Sequence, residues 1–144
     1  MNPKFLIIHH SLTKDGTAVS WGAIRKYHMD VKKWTDIGYS YGVELVGAHY
    51  EILKGRMDNE DGAHCLGFND NSLSICLVGD FDAWSPPIPQ LNLLRKLCRS
   101  LIEIYGIKPE NVLGHRETYP LRGVPVEKTC PGSSMDMAAF RLTL

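Results

Sequence analysis

One short run, residues 73–78 (LSICLV), constrains the fold more than any other segment. It is apolar almost throughout and is bounded by Asn71 and Gly79. A run of that length and character suits a strand in the middle of a sheet, covered on both faces. Burying a strand on both sides requires further layers, so the rest of the chain has to supply them.

The remaining periodicities do so. Residues 4–10 read as a second strand, short and apolar and closed by two histidines. Ile24, Tyr27, His28 and Val31 recur at helical spacing, which predicts a helix over 20–31 with Ser20 as its N-cap. Residues 41–46 and 49–53 flank Gly47-Ala48 and read as a hairpin. Leu91, Leu94, Cys98, Leu101, Ile102 and Tyr105 form one apolar stripe, predicting a helix over 90–105 stopped by Gly106. Residues 109–113 lead to a short strand or turn at Gly114-His115. Ser133-Ser134-Met135-Asp136 resembles a capping box that opens a last short helix. The predicted fold class is α/β, a single domain over residues 1–144 with a central mixed β-sheet flanked by α-helices. A chain of 144 residues has the size of one ordinary domain. No internal repeat or linker divides it, and the proline-rich piece 85–89 reads as a loop before a helix.

Composition excludes several partners. Sixteen basic residues balance sixteen acidic ones, whereas a nucleic-acid binder shows a basic excess. Phe5-Leu6-Ile7-Ile8, the longest apolar stretch near the start, is far shorter than the roughly 18 residues of a membrane span. It is also too short for the core of a secretion signal. The expectation is synthesis in the cytoplasm without a signal peptide, and no membrane partner. The four cysteines (65, 76, 98, 130) form no CxxC pair, so they read as buried thiols or metal ligands rather than a disulfide framework.

The candidate chemistry lies where elements end. His9 and His10 close the first strand, His115 follows Leu113-Gly114, and Cys130 stands in Lys-Thr-Cys-Pro-Gly before the last helix. Strand ends that meet in space are where α/β folds build sites. Two histidines and a thiolate suit zinc, with the fourth tetrahedral position left to water. Such a centre keeps a net positive charge that lowers the pKa of its water to about 7. His9 and His10 cannot both serve, because adjacent strand residues point to opposite faces, and spacing does not choose between them. Lys128, two residues before Cys130, is placed to meet an oxyanion beside such an ion. Tyr39, in Gly-Tyr-Ser-Tyr before the hairpin, could donate a hydrogen bond to water or to a carbonyl. His64 lies in a glycine-rich loop that could line a groove. Asn69 most simply holds a turn, His28 reads as a half-buried helical histidine, and His49 lies on the hairpin.

Five segments taken together carry a resemblance: FLIIHHSLT, DIGYSYGVEL, GAHCLGFNDNSLSICLVGDFD, VLGHRE and KTCPG, in that order along nearly the whole chain. The sequence resembles the type 2 N-acetylmuramoyl-L-alanine amidases, a family that includes amidase-type phage lysozymes and animal peptidoglycan recognition proteins. The resemblance implies one zinc ion held by His9, His115 and Cys130, so it selects the first histidine of the pair. It implies catalytic roles for Tyr39 and Lys128, and substrate contacts in the peptidoglycan groove from His64 and Asn69. Non-catalytic recognition relatives typically lack the cysteine ligand, so Cys130 speaks for activity. The chain departs from the pattern at Cys65, where alanine is usual, and at Ser74, where glycine is usual. The implied activity is hydrolysis of the amide between the lactyl group of N-acetylmuramic acid and L-alanine, in a phage or prophage endolysin that acts on the cell wall after release. The alternatives are a non-catalytic peptidoglycan-binding module and a cytoplasmic wall-recycling amidase. A protein partner such as a polymerase, which some phage lysozymes inhibit, stays open.

Overall fold

The computed structural model describes residues 1–13 and 20–144. Five strands form one mixed sheet in the order β3-β2-β4-β1-β5. They are β1 (Phe5–His10), β2 (Tyr41–Val46), β3 (His49–Lys54), β4 (Ser72–Leu77) and β5 (Val112–Gly114). β1, β4, β2 and β5 pair in parallel, and β3 adds an antiparallel edge through the hairpin at Gly47. The helices are α1 (Trp21–Asp30), α2 (Ile88–Tyr105), α3 (Thr118–Leu121) and α4 (Met137–Arg141). The α/β sheet flanked by helices is the architecture expected from the sequence.

The central strand holds a finer pattern than uniform hydrophobicity. β4 is buried at all six positions. Its large residues, Leu73, Ile75 and Leu77, alternate with Ser72, Ser74 and Cys76, so the two faces of the sheet differ. The large face, joined by Leu6, Ile8, Val43 and Val112, packs against Leu94, Leu97, Cys98 and Leu101 of α2 and Phe140 of α4. Burial of such aliphatic side chains contributes about 1.5–3 kcal/mol each. The small face lets other segments approach closely. Trp21 of α1 sits directly over Gly42, where any Cβ would collide with its ring. Ile24, Ile37 and Val78 pack beside it.

Ser74 finds its reason here. Ser40 N–H donates to Ser74 Oγ (3.0 Å) and Ser74 N–H donates to Ser40 Oγ (3.1 Å). The two serines are buried and continue the β2–β4 pairing one residue beyond its ladder, just before Tyr41↔Ile75. A side chain at 74 therefore does work that a bare backbone could not.

Three local readings change. The expected stripe of α1 is only partly used: Trp21 and Ile24 are buried, whereas Tyr27 and Val31 are exposed. The helix lies on the sheet through its first turns only, with Ser20 Oγ capping Ala23 N–H. The last helix is capped by Asp136, whose Oδ1 accepts from Ala139 N–H at 2.9 Å. Ser133 is not its cap; the Ser133 N–H instead donates to Asp82 Oδ1. An acceptor three residues ahead of a free N–H is what a cap needs, and Asp136 meets that condition where Ser133 does not. α2 starts at Ile88, two residues before the expected start, because Pro89 fits the first helical turn. Gly106 ends it in the left-handed conformation, φ +66°. All four cysteines are free thiols.

The serine pair is directly testable. Ser74→Ala leaves the buried Ser40 N–H without an acceptor, which costs about 1–3 kcal/mol. A urea titration should show that loss, and an unchanged midpoint would remove the pair from the list of interactions holding β2 to β4.

Candidate metal centre and groove

β1 delivers two histidines to opposite sides of the sheet. His10 turns toward α2, where its Nδ1 accepts from Phe81 N–H at 3.1 Å. His9 lies on the small face, 2% exposed. Three donors meet there: one ligand atom each from His9, His115 and Cys130 lie within 4.8 Å of one another. His9 Nδ1 is 3.5 Å from Cys130 Sγ, and the His9 and His115 rings are 4.8 Å apart.

His115 and Cys130 are brought to His9 by a compact set of backbone contacts. β5 ends at Gly114, and His115 begins a 3-10 turn. A Cβ at Gly114 would press on Pro131 and Met137, so glycine lets the Cys130 loop lie against the strand. Arg116 N–H donates to Cys130 O at 2.8 Å. The Arg116 guanidinium also holds Thr129 O (3.0 Å), Gly132 O (2.6 Å) and Met135 O. Glu117 accepts from Gly114 N–H and from both ends of the Arg141 guanidinium. One turn thus carries a donor and staples the loop that carries another.

The remaining sequence candidates surround this group. Tyr39 lies beside His9, ring centroids 5.2 Å apart. Lys128 lines the same cavity of about 540 Å³, together with His9, His64, His115 and Cys130. A second hollow of about 670 Å³ shares His64, His115 and Lys128 as walls, so the two form one groove. Asn69 lines the second hollow, which includes His115 but neither His9 nor Cys130. Its Oδ1 accepts from His64 N–H and Cys65 N–H, both at 2.9 Å, so its carbonyl holds the 62–69 loop as a turn residue does. Both nitrogens of His64 face protein groups, His9 Nε2 at 3.0 Å and Ser72 Oγ at 3.3 Å. Cys65 is buried against Thr118 Oγ1. His28, half-buried, accepts from Gly38 N–H, and His49 is exposed beside Glu51.

Sequence reasoning missed Trp34 and Arg116. Trp34 lines both hollows and packs on His28, ring centroids 4.7 Å apart; a lone aromatic in the polar run Lys32-Lys33-Trp34-Thr35-Asp36 was its signal. Arg116 follows His115 directly, but nothing in the sequence shows which carbonyls it reaches.

Electrostatics keep the donors uncharged. Burial holds His9 well below the ordinary histidine range, reinforced by His64 and His115. Burial brings His115 down to about 4, with help from Lys128 and Arg122. Burial pushes the Cys130 thiol up to about 12, opposed by a hydrogen bond to the His10 backbone and by Lys128. Burial, with Cys76 and Cys130 close by, raises Tyr39 well above the ordinary phenol value, so its hydroxyl keeps its proton.

The fold and site together define an α/β domain whose sheet carries a His-His-Cys group on the floor of an open groove. The chain belongs to the N-acetylmuramoyl-L-alanine amidase family, whose profile matches residues 1–133. It is 30% identical to mouse N-acetylmuramoyl-L-alanine amidase over 140 residues, 91% of this chain and 24% of that protein. It is 31% identical to the endolysin of Escherichia phage T7 over 132 residues, 88% of this chain and 78% of that protein. The chain spans about a quarter of the mouse and human relatives and just over half of two insect recognition proteins. Among solved structures, the LysCS endolysin amidase of Clostridium intestinale has the same fold, with TM-score 0.80, 24% identity and coverage of 98% of this chain and 82% of that one. Drosophila PGRP-LB in complex with tracheal cytotoxin gives TM-score 0.74 at 30% identity, covering 94% of this chain and 79% of that one.

Arg116→Ala tests the staple. Losing a charged donor shared by three carbonyls should cost about 2–3 kcal/mol in a urea titration. A loss below about 0.5 kcal/mol, the range of an ordinary surface change, would show that the loop holds itself.

Proposed function

We propose that the protein is a zinc-dependent N-acetylmuramoyl-L-alanine amidase that hydrolyses the lactyl–L-alanine amide of bacterial peptidoglycan. The observation that carries this reading is the convergence of His9, His115 and Cys130 at the floor of the groove. The donor set fits zinc. Tetrahedral N and S ligands at ordinary zinc bond lengths stand roughly 3.5 Å apart, and His9 Nδ1 and Cys130 Sγ are separated by 3.5 Å. Two imidazoles and one thiol make three ligands, the number typical of catalytic rather than structural zinc. Bound there, zinc supplies Lewis acidity and a nucleophile available near neutral pH.

The chain's own groups do the rest. Tyr39, held protonated by burial, donates its hydroxyl to the scissile carbonyl oxygen or to the attacking water and so orients it. Lys128 lies at the rim of the same cavity, and its ammonium offsets the negative charge that develops on the carbonyl oxygen. Water adds to the carbonyl carbon, the C–N bond breaks, and the products are the lactyl carboxylate and the free amine of L-alanine. Trp34, Ala63 and the 127–130 segment wall the groove in which the glycan and the stem peptide lie.

The similarity to phage endolysins, at 31% identity for that of phage T7 and 28% for that of Thermus phage Ph2119, supports an endolysin that meets the wall after release from the cytoplasm. No helix among the described residues is long and apolar enough to cross a membrane.

Digestion of purified sacculi, followed by product mass analysis with and without chelator, tests the activity. We expect free stem peptides beginning at L-alanine, lost with chelator and restored by zinc. Binding of muramyl peptides without any product would favour the recognition-module reading, and cleavage of ordinary proteins would reject the substrate. In Lys128→Ala we expect stoichiometric zinc but turnover lowered about 10²–10³-fold; equal activity would remove Lys128 from the mechanism.

Metal uptake should also release a countable proton. At pH 6, where water polarised by such an ion still keeps its protons, His9 and His115 are already neutral, while the Cys130 thiol is protonated in the metal-free chain. Zinc takes cysteine as thiolate, so ~1 proton should leave per ion bound. Calorimetry in two buffers of different ionisation heat measures that count, and a value near zero would mean that Cys130 is not a ligand.

A further inference from the structure

Behind the donor group runs a line of hydrogen bonds whose direction is fixed at its far end. Ser72 Oγ lies 2.6 Å from Phe68 O. A carbonyl only accepts, so the serine hydroxyl hydrogen points there. Ser72 Oγ is then left to accept from His64 Nε2, 3.3 Å away. A neutral imidazole carrying its hydrogen on Nε2 has a bare Nδ1. That Nδ1 stands 3.0 Å from His9 Nε2 and can only accept from it. His9, neutral with its hydrogen on Nε2, therefore turns a bare Nδ1 toward Cys130 Sγ, 3.5 Å away. The direction passes from one backbone carbonyl through three side chains to the donor atom.

The relay is built in. Ser72 is fully buried on the small face of β4. The His64 ring stands edge-on to His9, centroids 5.1 Å apart and planes at 90°. Its loop is fixed by Gly62 N–H to Asn69 O, Ala63 N–H to Gly38 O, and the Asn69 carbonyl. Any Cβ at Gly62 would collide with the His64 ring, so glycine there makes room for it. Burial also brings His64 down to about 3, consistent with a ring that stays neutral.

We propose that His64 and Ser72 are positioning residues of the metal centre: they lock His9 in its Nε2–H tautomer and aim Nδ1 at the ion. This rests on the zinc-amidase reading above and reassigns His64, whose two nitrogens are spent inside the protein, from substrate contact to ligand support. Partners of this kind behind a metal-bound histidine typically contribute about 10–100-fold in metal affinity.

Two measurements on the whole chain test it. In the metal-free wild type, long-range ¹H–¹⁵N correlation of the histidine rings should find His9 protonated on Nε2. A hydrogen on Nδ1 would overturn the proposal whatever the metal does. Zinc competition against a chromophoric chelator should give a dissociation constant about 10–100-fold weaker for His64→Phe, which keeps a ring but no acceptor. His64→Asn, whose Oδ1 can stand near the position of Nδ1, should recover most of that loss. Ser72→Ala frees the His64 tautomer and should weaken zinc severalfold even if His64→Phe fails to fold. Zinc affinity within twofold of wild type in both His64→Phe and Ser72→Ala would overturn the relay. A wild-type chain with His9 protonated on Nε2 but no zinc uptake would instead overturn the metal-centre reading, and with it the use assigned to the relay.

Discussion

β1 is enclosed between β4 and β5, and that enclosure leaves the His9 imidazole only 2% exposed. A buried polar ring is costly unless its nitrogens find partners. Each nitrogen of His9 has one: His64 on one side, Cys130 on the other. The loop before β4 is drawn in to satisfy the first, and the turn after β5 carries His115 and holds the Cys130 loop that satisfies the second. The two halves of the groove are thus arranged around a single residue of the strand they flank.

The unequal faces of β4 make that enclosure compatible with a site. Leu73, Ile75 and Leu77 bind α2 and give the sheet a dry side. Ser72, Ser74 and Cys76 leave depth on the other side, where aromatic rings and loop backbone approach the strands. A β4 carrying large residues on both faces would bury the sheet equally well and leave no room for Tyr39 or His64.

Much of this was legible beforehand, for reasons that differ by element. The strands, the hairpin and α2 announce themselves through local periodicity, which survives in almost any tertiary setting. α1 was half legible, because only its first turns meet the sheet, and Tyr27 and Val31 stay in solvent. The cap of α4 was misread because Ser133 and Asp136 are the two ends of one short pattern and both residue types can cap a helix, and only the folded chain shows which has a free N–H three residues ahead. The five quoted segments singled out His9, His115, Cys130, Tyr39 and Lys128, and all five line one cavity. The partners of His64 were not legible, since a hydrogen bond spanning 55 residues leaves no trace in spacing. Arg116 escaped for the same reason: its side chain reads carbonyl oxygens, which every residue possesses.

The Cys130 loop joins β1 across 121 residues of sequence. Closing so long a loop is entropically expensive and is repaid only after the intervening sheet exists. The same reach ties the donor group to the apolar layer: Met135, Met137 and Phe140, within and just beyond the loop that Arg116 holds, belong to the core cluster that contains Leu6 and Leu94. Whatever loosens the Arg116 grip is therefore felt on both sides of the sheet at once, by the cation-binding group on one and by the dry layer on the other.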